Sequence, residues 1–161
     1  MIDLHPATTA LSELVESVRD DQLGAPTPCA DTSVAALLDH IDGLAFAFTA
    51  AAKKETLPAD QGGPSADASH LTPDWRTRIP ERLGLLADAW SNASAWDGMT
   101  KIAGMDLPAQ VAALVAIDEV VVHGWDLAVA SDQPFTADAQ LVDAANEFVR
   151  PQVEEHPEGT P

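Results

Sequence analysis

The chain has 161 residues, 46% of them apolar, which is enough for one domain with a real core and too little for two. Acidic residues outnumber basic ones 26 to 8, and a net charge of −18 opposes approach to phosphate backbones and anionic bilayers, so nucleic-acid and membrane partners are disfavoured. With Cys29 as the only cysteine, an intrachain disulfide is excluded and nothing implies an oxidising compartment.

The opening "MIDLHPATTALSELVESVRD" has no basic segment leading into an apolar stretch, and no run reaches the ~18 apolar residues of a bilayer span. A cytoplasmic location is therefore expected. A first helix is predicted from about Thr9 to Gln22, with Leu11, Leu14, Val15 and Val18 at helical spacing and Gly24 as its stop.

The turn "GAPTPCADTS" follows, and Thr32 or Ser33 can cap a second helix running to about Lys54. Its core stripe is Val34, Leu37, Leu38, Ile41, Ala45 and Phe48. From Leu57 to Asp74 the composition is Pro, Gly, Ser and Asp, too poor in large apolar groups to offset ordering entropy, and a mobile loop is expected.

A third helix spans about Trp75 to Asn92, with Ile79, Leu83, Leu86 and Trp90 on one side; Pro80 must sit in its first turn or interrupt it. The stretch "SAWDGMTKIAGMDLP" reads as a long connection with room for a short hairpin. A fourth helix starts at Pro108, suited to a first helical position, and runs to about Ala130. A shorter fifth, Thr136 to Val149, precedes a polar tail. The expected architecture is all-α: one four-helix-bundle domain over 1–150 with long loops and a short additional C-terminal helix, then a tail over 151–161.

Chemistry concentrates in "VAIDEVVVHGWDLAVA". Glu119 and His123, four apart, lie about 40° apart on one helical face; Asp126 falls in the same sector and Asp118 points elsewhere. Val111, Leu114, Val115, Ile117, Val120, Val121, Val122 and Leu127 surround them, which suggests a helix central to the bundle, where uncompensated polar groups are costly. One reading is a hydrogen-bonded Glu–His pair, or a pair facing solvent. The other is a shared divalent cation, since i,i+4 side chains converge on a point.

His40, in "LLDHIDG" on the second helix, favours the cation: it sits at the edge of the apolar stripe beside the small Ala36 and Gly43. His40, Glu119 and His123 together are the two-His-one-carboxylate set of a catalytic zinc site with an open fourth position; nickel, iron or manganese suit the same ligands. Asp126 is placed to accept the second N–H of a ligating histidine. Cys29 is read as a buried free thiol rather than a nucleophile. His5, His70 and His156 are read as solvated, and Trp125 and Phe46 as core or pocket wall.

The segments "TPCADTSVAALLDHIDG" and "DEVVVHGWDLAVA" resemble metal-binding proteins of the DinB-like superfamily, close to the mycothiol-dependent maleylpyruvate isomerase N-terminal domain. The resemblance implies a four-helix bundle binding one divalent metal, usually zinc, through His40, Glu119 and His123. Thr32 stands where relatives often carry an aromatic residue. The chain is also too short for the second domain of the isomerase itself, so the isomerase reaction is not carried over. The function implied is a metal-dependent transferase or isomerase joining a low-molecular-weight thiol such as mycothiol to a small-molecule electrophile; a homodimer is left open. The acidic net charge sits awkwardly with anionic substrates, and Lys101, in the connection before the fourth helix, is one candidate local cation to offset it. The alternative is a non-catalytic metal-binding or ligand-binding regulatory bundle.

Overall fold

The structure is a computed structural model that describes residues 1–57 and 65–155. Among the described residues, five α-helices and one hairpin follow in order: α1 (His5–Ser17), α2 (Val34–Ala52), α3 (Trp75–Trp90), β1 (Met99–Ile102), β2 (Met105–Pro108), α4 (Ala109–Ser131) and α5 (Ala139–Glu155). The expected all-α bundle is what forms.

Helix boundaries follow from local chemistry. α1 starts four residues earlier than its periodicity suggests, because Asp3 accepts the His5 N–H at 3.0 Å and Pro6 occupies the first turn, where a missing donor costs nothing. It also stops earlier: Val18 turns extended, keeping its side chain in the core, and Asp20–Gln22 form a separate 3-10 turn. Of the two candidate caps for α2, Ser33 is the one used, its hydroxyl accepting the Ala36 N–H at 3.3 Å. Pro80 lies in the second turn of α3 without ending the helix.

The hairpin has Ala103 and Gly104 at its turn, both with positive φ, the geometry that matches strand twist in a two-residue loop. Pro108 is the residue before α4 rather than its first. α5 is longer than expected: it runs through Pro151 to Glu155, so the helix takes in the first five residues of the predicted tail.

α1 and α2 stand at opposite corners of the bundle, each packed against both α3 and α4, while α5 lies on the outer side of α4. Polar links between the ends fix the directions. Arg76, at the start of α3, donates to the Val18 carbonyl just past the end of α1, and Gln133, past the end of α4, donates to Leu14 near the end of α1. The Thr100 hydroxyl, just before α4, donates to Ala51 at the end of α2. Hence α1 and α4 run one way and α2 and α3 the other. The connection from α2 to α3 must therefore travel back along the bundle.

Leu11, Leu37, Leu38, Ile79, Leu83, Leu86, Trp90, Ile117 and Leu127 meet at the centre, each at most 1% exposed. The seam between α2 and α3 also carries a charged clamp: the Asp42 carboxylate lies 3.0 Å from Arg78 and 2.9 Å from Arg82. α2 is, among the described residues, the one helix long and apolar enough to cross a membrane, but most of it is buried in this core.

α4 is less enclosed than its composition suggests. Val111, Val122, Trp125 and Val129 are exposed along one side, so Trp125 is not part of the core. Phe46 is half-buried beneath the Arg82 guanidinium.

Candidate metal centre

α2 and α4 are adjacent and antiparallel, which sets His40 opposite the Glu119–His123 turn. His123 Nε2 lies 2.9 Å from Glu119 Oε2, and His40 Nε2 lies 3.9 Å from the same oxygen. The two imidazoles meet edge to face, centroids 5.0 Å apart and planes at 85°. One ligand atom from each of the three residues lies within 4.8 Å of the others, a spacing that could hold a metal ion. The donors are two nitrogens and a carboxylate oxygen, a set suited to a divalent transition metal. Thus the sequence-predicted trio is brought together.

The surroundings treat the two histidines differently. Burial, and the positive charge His123 can carry, hold the His40 pKa below the ordinary imidazole value. Burial acts the same way on His123, but its contacts with Glu119 and Asp126 outweigh this and raise the pKa. Asp126 is 3% exposed, and its Oδ2 lies 3.1 Å from His123 Nδ1, the position expected of an outer partner. Asp118 lies off this face, half-buried; burial and the Glu119 charge push its carboxyl up to about 6.

Two features were not read from the sequence. The Cys29 thiol, half-buried, donates to Asp126 Oδ2 at 3.2 Å and so reaches the oxygen that serves His123. Burial and Asp126 push its pKa up to about 11, which keeps it a thiol rather than a nucleophilic thiolate. Cys29, His123 and Asp126 also form a second group of potential ligand atoms, sharing His123 with the first.

The second feature lies in the segment from Leu57 to Asp74, where a mobile loop is expected. Residues 58–64 lie outside the described residues, but the following part is attached to α2. Ser65 Oγ donates to Asp39 Oδ2 at 2.5 Å, the Asp67 N–H donates to the same oxygen at 3.1 Å, and Ala68–His70 form a 3-10 turn. The physical reason is the return path imposed by the parallel α2 and α3.

Other sequence-predicted residues stand apart from the cluster. Lys101 pairs with Asp106 across the hairpin at 3.0 Å, beside the C-terminal end of α2, eleven residues or roughly 16 Å of helix from His40. It is not a cation of this site. The His5 side chain, 46% exposed, contacts Asp3 and Asp88, and His70 is exposed near Ser65 Oγ. His156 and the rest of the tail beyond Glu155 lie outside the described residues.

A bundle of helices with one small hairpin, matching a solved structure over most of its length, defines an all-α protein of DinB-like fold. The sequence profile described as the mycothiol maleylpyruvate isomerase N-terminal domain matches residues 4–128, and the chain belongs to that family. Two relatives from Mycobacterium tuberculosis, the uncharacterized protein Rv0738 of strain ATCC 25618 / H37Rv and the uncharacterized protein MT0763 of strain CDC 1551 / Oshkosh, are each 30% identical over 155 residues, covering 91% of this chain and 77% of theirs. The crystal structure of the mycothiol-dependent maleylpyruvate isomerase matches with a TM-score of 0.65 and 18% identity over 91% of this chain. That likeness speaks to the fold, and this chain spans 65% of the isomerase chain's length.

Proposed function

We propose that the chain is a metal-dependent enzyme that activates a low-molecular-weight thiol, mycothiol or one of similar chemistry, toward a small-molecule electrophile, as a transferase or an isomerase. His40, Glu119 and His123 would hold one divalent cation, with zinc favoured by the two-His-one-carboxylate set. The observation that carries this reading is the convergence of those three side chains from two helices, joined by membership of a family described by its mycothiol chemistry.

Bound there, a divalent cation would supply a Lewis acid that favours the ionised form of a thiol over the neutral one. The chain's own residues prepare this. His40 and His123 each direct Nε2 toward Glu119, and Asp126 accepts the Nδ1 proton of His123, which orients the ring and makes its other nitrogen the more basic. Burial beneath α2 and α4 leaves His123 only 13% exposed and limits water at the cluster, while Glu119, at 29%, marks the side open to small molecules. Cys29 is not assigned the nucleophile, because a thiol held at about 11 is un-ionised at neutral pH. A cytoplasmic location belongs to the same reading.

The test is chemical: protein purified without chelator, loaded with zinc, is mixed with mycothiol and a panel of small electrophiles, and thiol loss is followed. Zinc-dependent consumption that disappears in His123→Ala supports the reading. Stoichiometric zinc with no consumption of any pair would move the chain to the regulatory metal-binding alternative.

A further inference from the structure

The two histidines of the cluster are oriented by different means. Asp126 serves His123 from one turn further along the same helix. For His40 the described contact comes from elsewhere in the chain: its Nδ1 donates to the Ser65 carbonyl at 3.1 Å, 25 residues away. A carbonyl can only accept, so this bond places the proton on Nδ1 and leaves Nε2 unprotonated, the form a metal requires.

Ser65 has no helix or strand to hold it; the residue lies in irregular, exposed backbone. What fixes it is Asp39, the neighbour of His40 on α2. Asp39 Oδ2 accepts from the Ser65 hydroxyl at 2.5 Å and from the Asp67 N–H at 3.1 Å. His70 Nδ1 lies 3.2 Å from the same Ser65 hydroxyl and can donate to it, since the hydroxyl's own proton goes to Asp39. Side chains at consecutive helical positions diverge by about 100°. One strap can touch both Asp39 and His40 only by crossing α2, and it does so on the return path toward α3.

We propose that Asp39 is a positioning residue for the metal centre: it anchors Ser65 and Asp67 across α2, so that the Ser65 carbonyl holds the Nδ1 proton of His40 and turns Nε2 toward Glu119 and His123. This rests on the reading of His40 as a ligand. Asp39 touches neither metal nor substrate in this role, and it acts through backbone that no substitution of Ser65 can remove. The anchoring carboxylate is therefore the place to intervene.

The experiment uses the full chain with Asp39→Ala, Asp39→Asn and Ser65→Ala, each checked by circular dichroism, and has two readouts. The first is zinc affinity by competition with a chelating indicator. The second is the side-chain 15N NMR spectrum of the zinc-free protein, which reports which nitrogen of His40 carries the proton. Asp39→Ala is expected to lower zinc affinity about tenfold, at the modest end for loss of an outer partner because the strap is exposed, and to mix the His40 tautomers. Asp39→Asn keeps an acceptor oxygen and should restore most of both; Ser65→Ala keeps the Asp67 bond and should fall between. Ser65 is outside the core, so that variant remains informative if Asp39→Ala does not fold.

Unchanged His40 tautomers and unchanged affinity in both Asp39→Ala and Ser65→Ala would overturn the proposal. So would equal loss in Asp39→Ala and Asp39→Asn that follows melting temperature while the tautomer stays fixed. A wild-type chain that binds no zinc at all would sink the ligand reading, whereas the NMR comparison would still decide whether Asp39 sets the state of His40.

Discussion

His123 is gripped at both ring nitrogens, with Glu119 Oε2 2.9 Å from Nε2 and Asp126 Oδ2 3.1 Å from Nδ1. A neutral imidazole has one proton and cannot donate to two carboxylates, so this geometry favours the protonated ring in the metal-free protein, in line with its raised pKa. A cation bound at Nε2 would take the place of one of those protons.

The ligand set should therefore be separable from the other histidines by mutation. His123→Ala and Glu119→Ala are each expected to abolish stoichiometric zinc, whereas His5→Ala, which alters only an exposed contact with Asp3 and Asp88, should leave it intact. Elemental analysis of the three purified variants checks this; equal zinc in all of them would dispose of the site.

The outer partner should matter in proportion to its burial. Asp126→Asn removes the carboxylate that takes the His123 Nδ1 proton, and zinc affinity is expected to fall about 10–100-fold. Competition titration measures it, and an affinity within twofold of wild type would exclude the role.

The metal's effect on stability should grow with pH. In the metal-free protein, the raised His123 pKa contributes stability that is fully present below ~6.5 and is lost as pH rises through the folded value. The lowered His40 pKa acts in a lower window: stability falls as pH drops from ~6.5 through its folded value. With metal present, protons compete with the cation for both imidazoles. The difference in Tm between zinc-loaded and chelator-treated protein should widen from pH 5.5 to pH 8. A difference largest at pH 5.5 would contradict the ligand assignment.

Asp118 gives a separate pH test. Its carboxyl, pushed up to about 6, binds a proton more tightly when folded, so stability from this group is present at low pH and lost as pH rises from 3.8 to about 6. Asp118→Asn should consequently stabilise chelator-treated protein at pH 7.5 by about 1 kcal/mol, solvent screening of a half-buried group reducing the effect, and do little at pH 4. Denaturant melts at the two pH values decide it; equal effects at both would refute the cause given.

Gly124 answers to packing rather than chemistry. A Cβ there would lie 2.9 Å from Phe135 Cε2 and 3.0 Å from Cζ. The helix-propensity gain of Gly124→Ala is about 1 kcal/mol, but displacing a ring seated against the helix should cost more, leaving a net loss of about 1–2 kcal/mol. Adding Phe135→Leu should recover most of it in thermal melts, and a stabilising Gly124→Ala would show the ring moves freely.

Helical periodicity made the bundle legible, and i,i+4 spacing made Glu119, His123 and Asp126 legible, because both are properties of a single helix. His40 could be read as a partner from its residue type and small neighbours. The relations across the chain were hidden. Nothing local in "TPCAD" shows that Cys29 meets an aspartate 97 residues on, and nothing in "LPADQGGPSADASH" shows that Ser65 and Asp67 grip Asp39. Those contacts depend on helix direction, and composition alone, rich in Pro, Gly and Ser, pointed to a loop without anchors. The exposure of Val122 and Trp125 was missed for the same reason: periodicity shows that a face is apolar, not whether another element covers it.

Binding of one divalent cation between α2 and α4 is tested most directly by anomalous scattering from crystals of zinc-loaded protein. A single strong peak is expected at roughly 2.0–2.2 Å from His40 Nε2, His123 Nε2 and a Glu119 carboxylate oxygen. No peak there, or zinc bound instead among Cys29, Asp126 and His123 Nδ1, would contradict it.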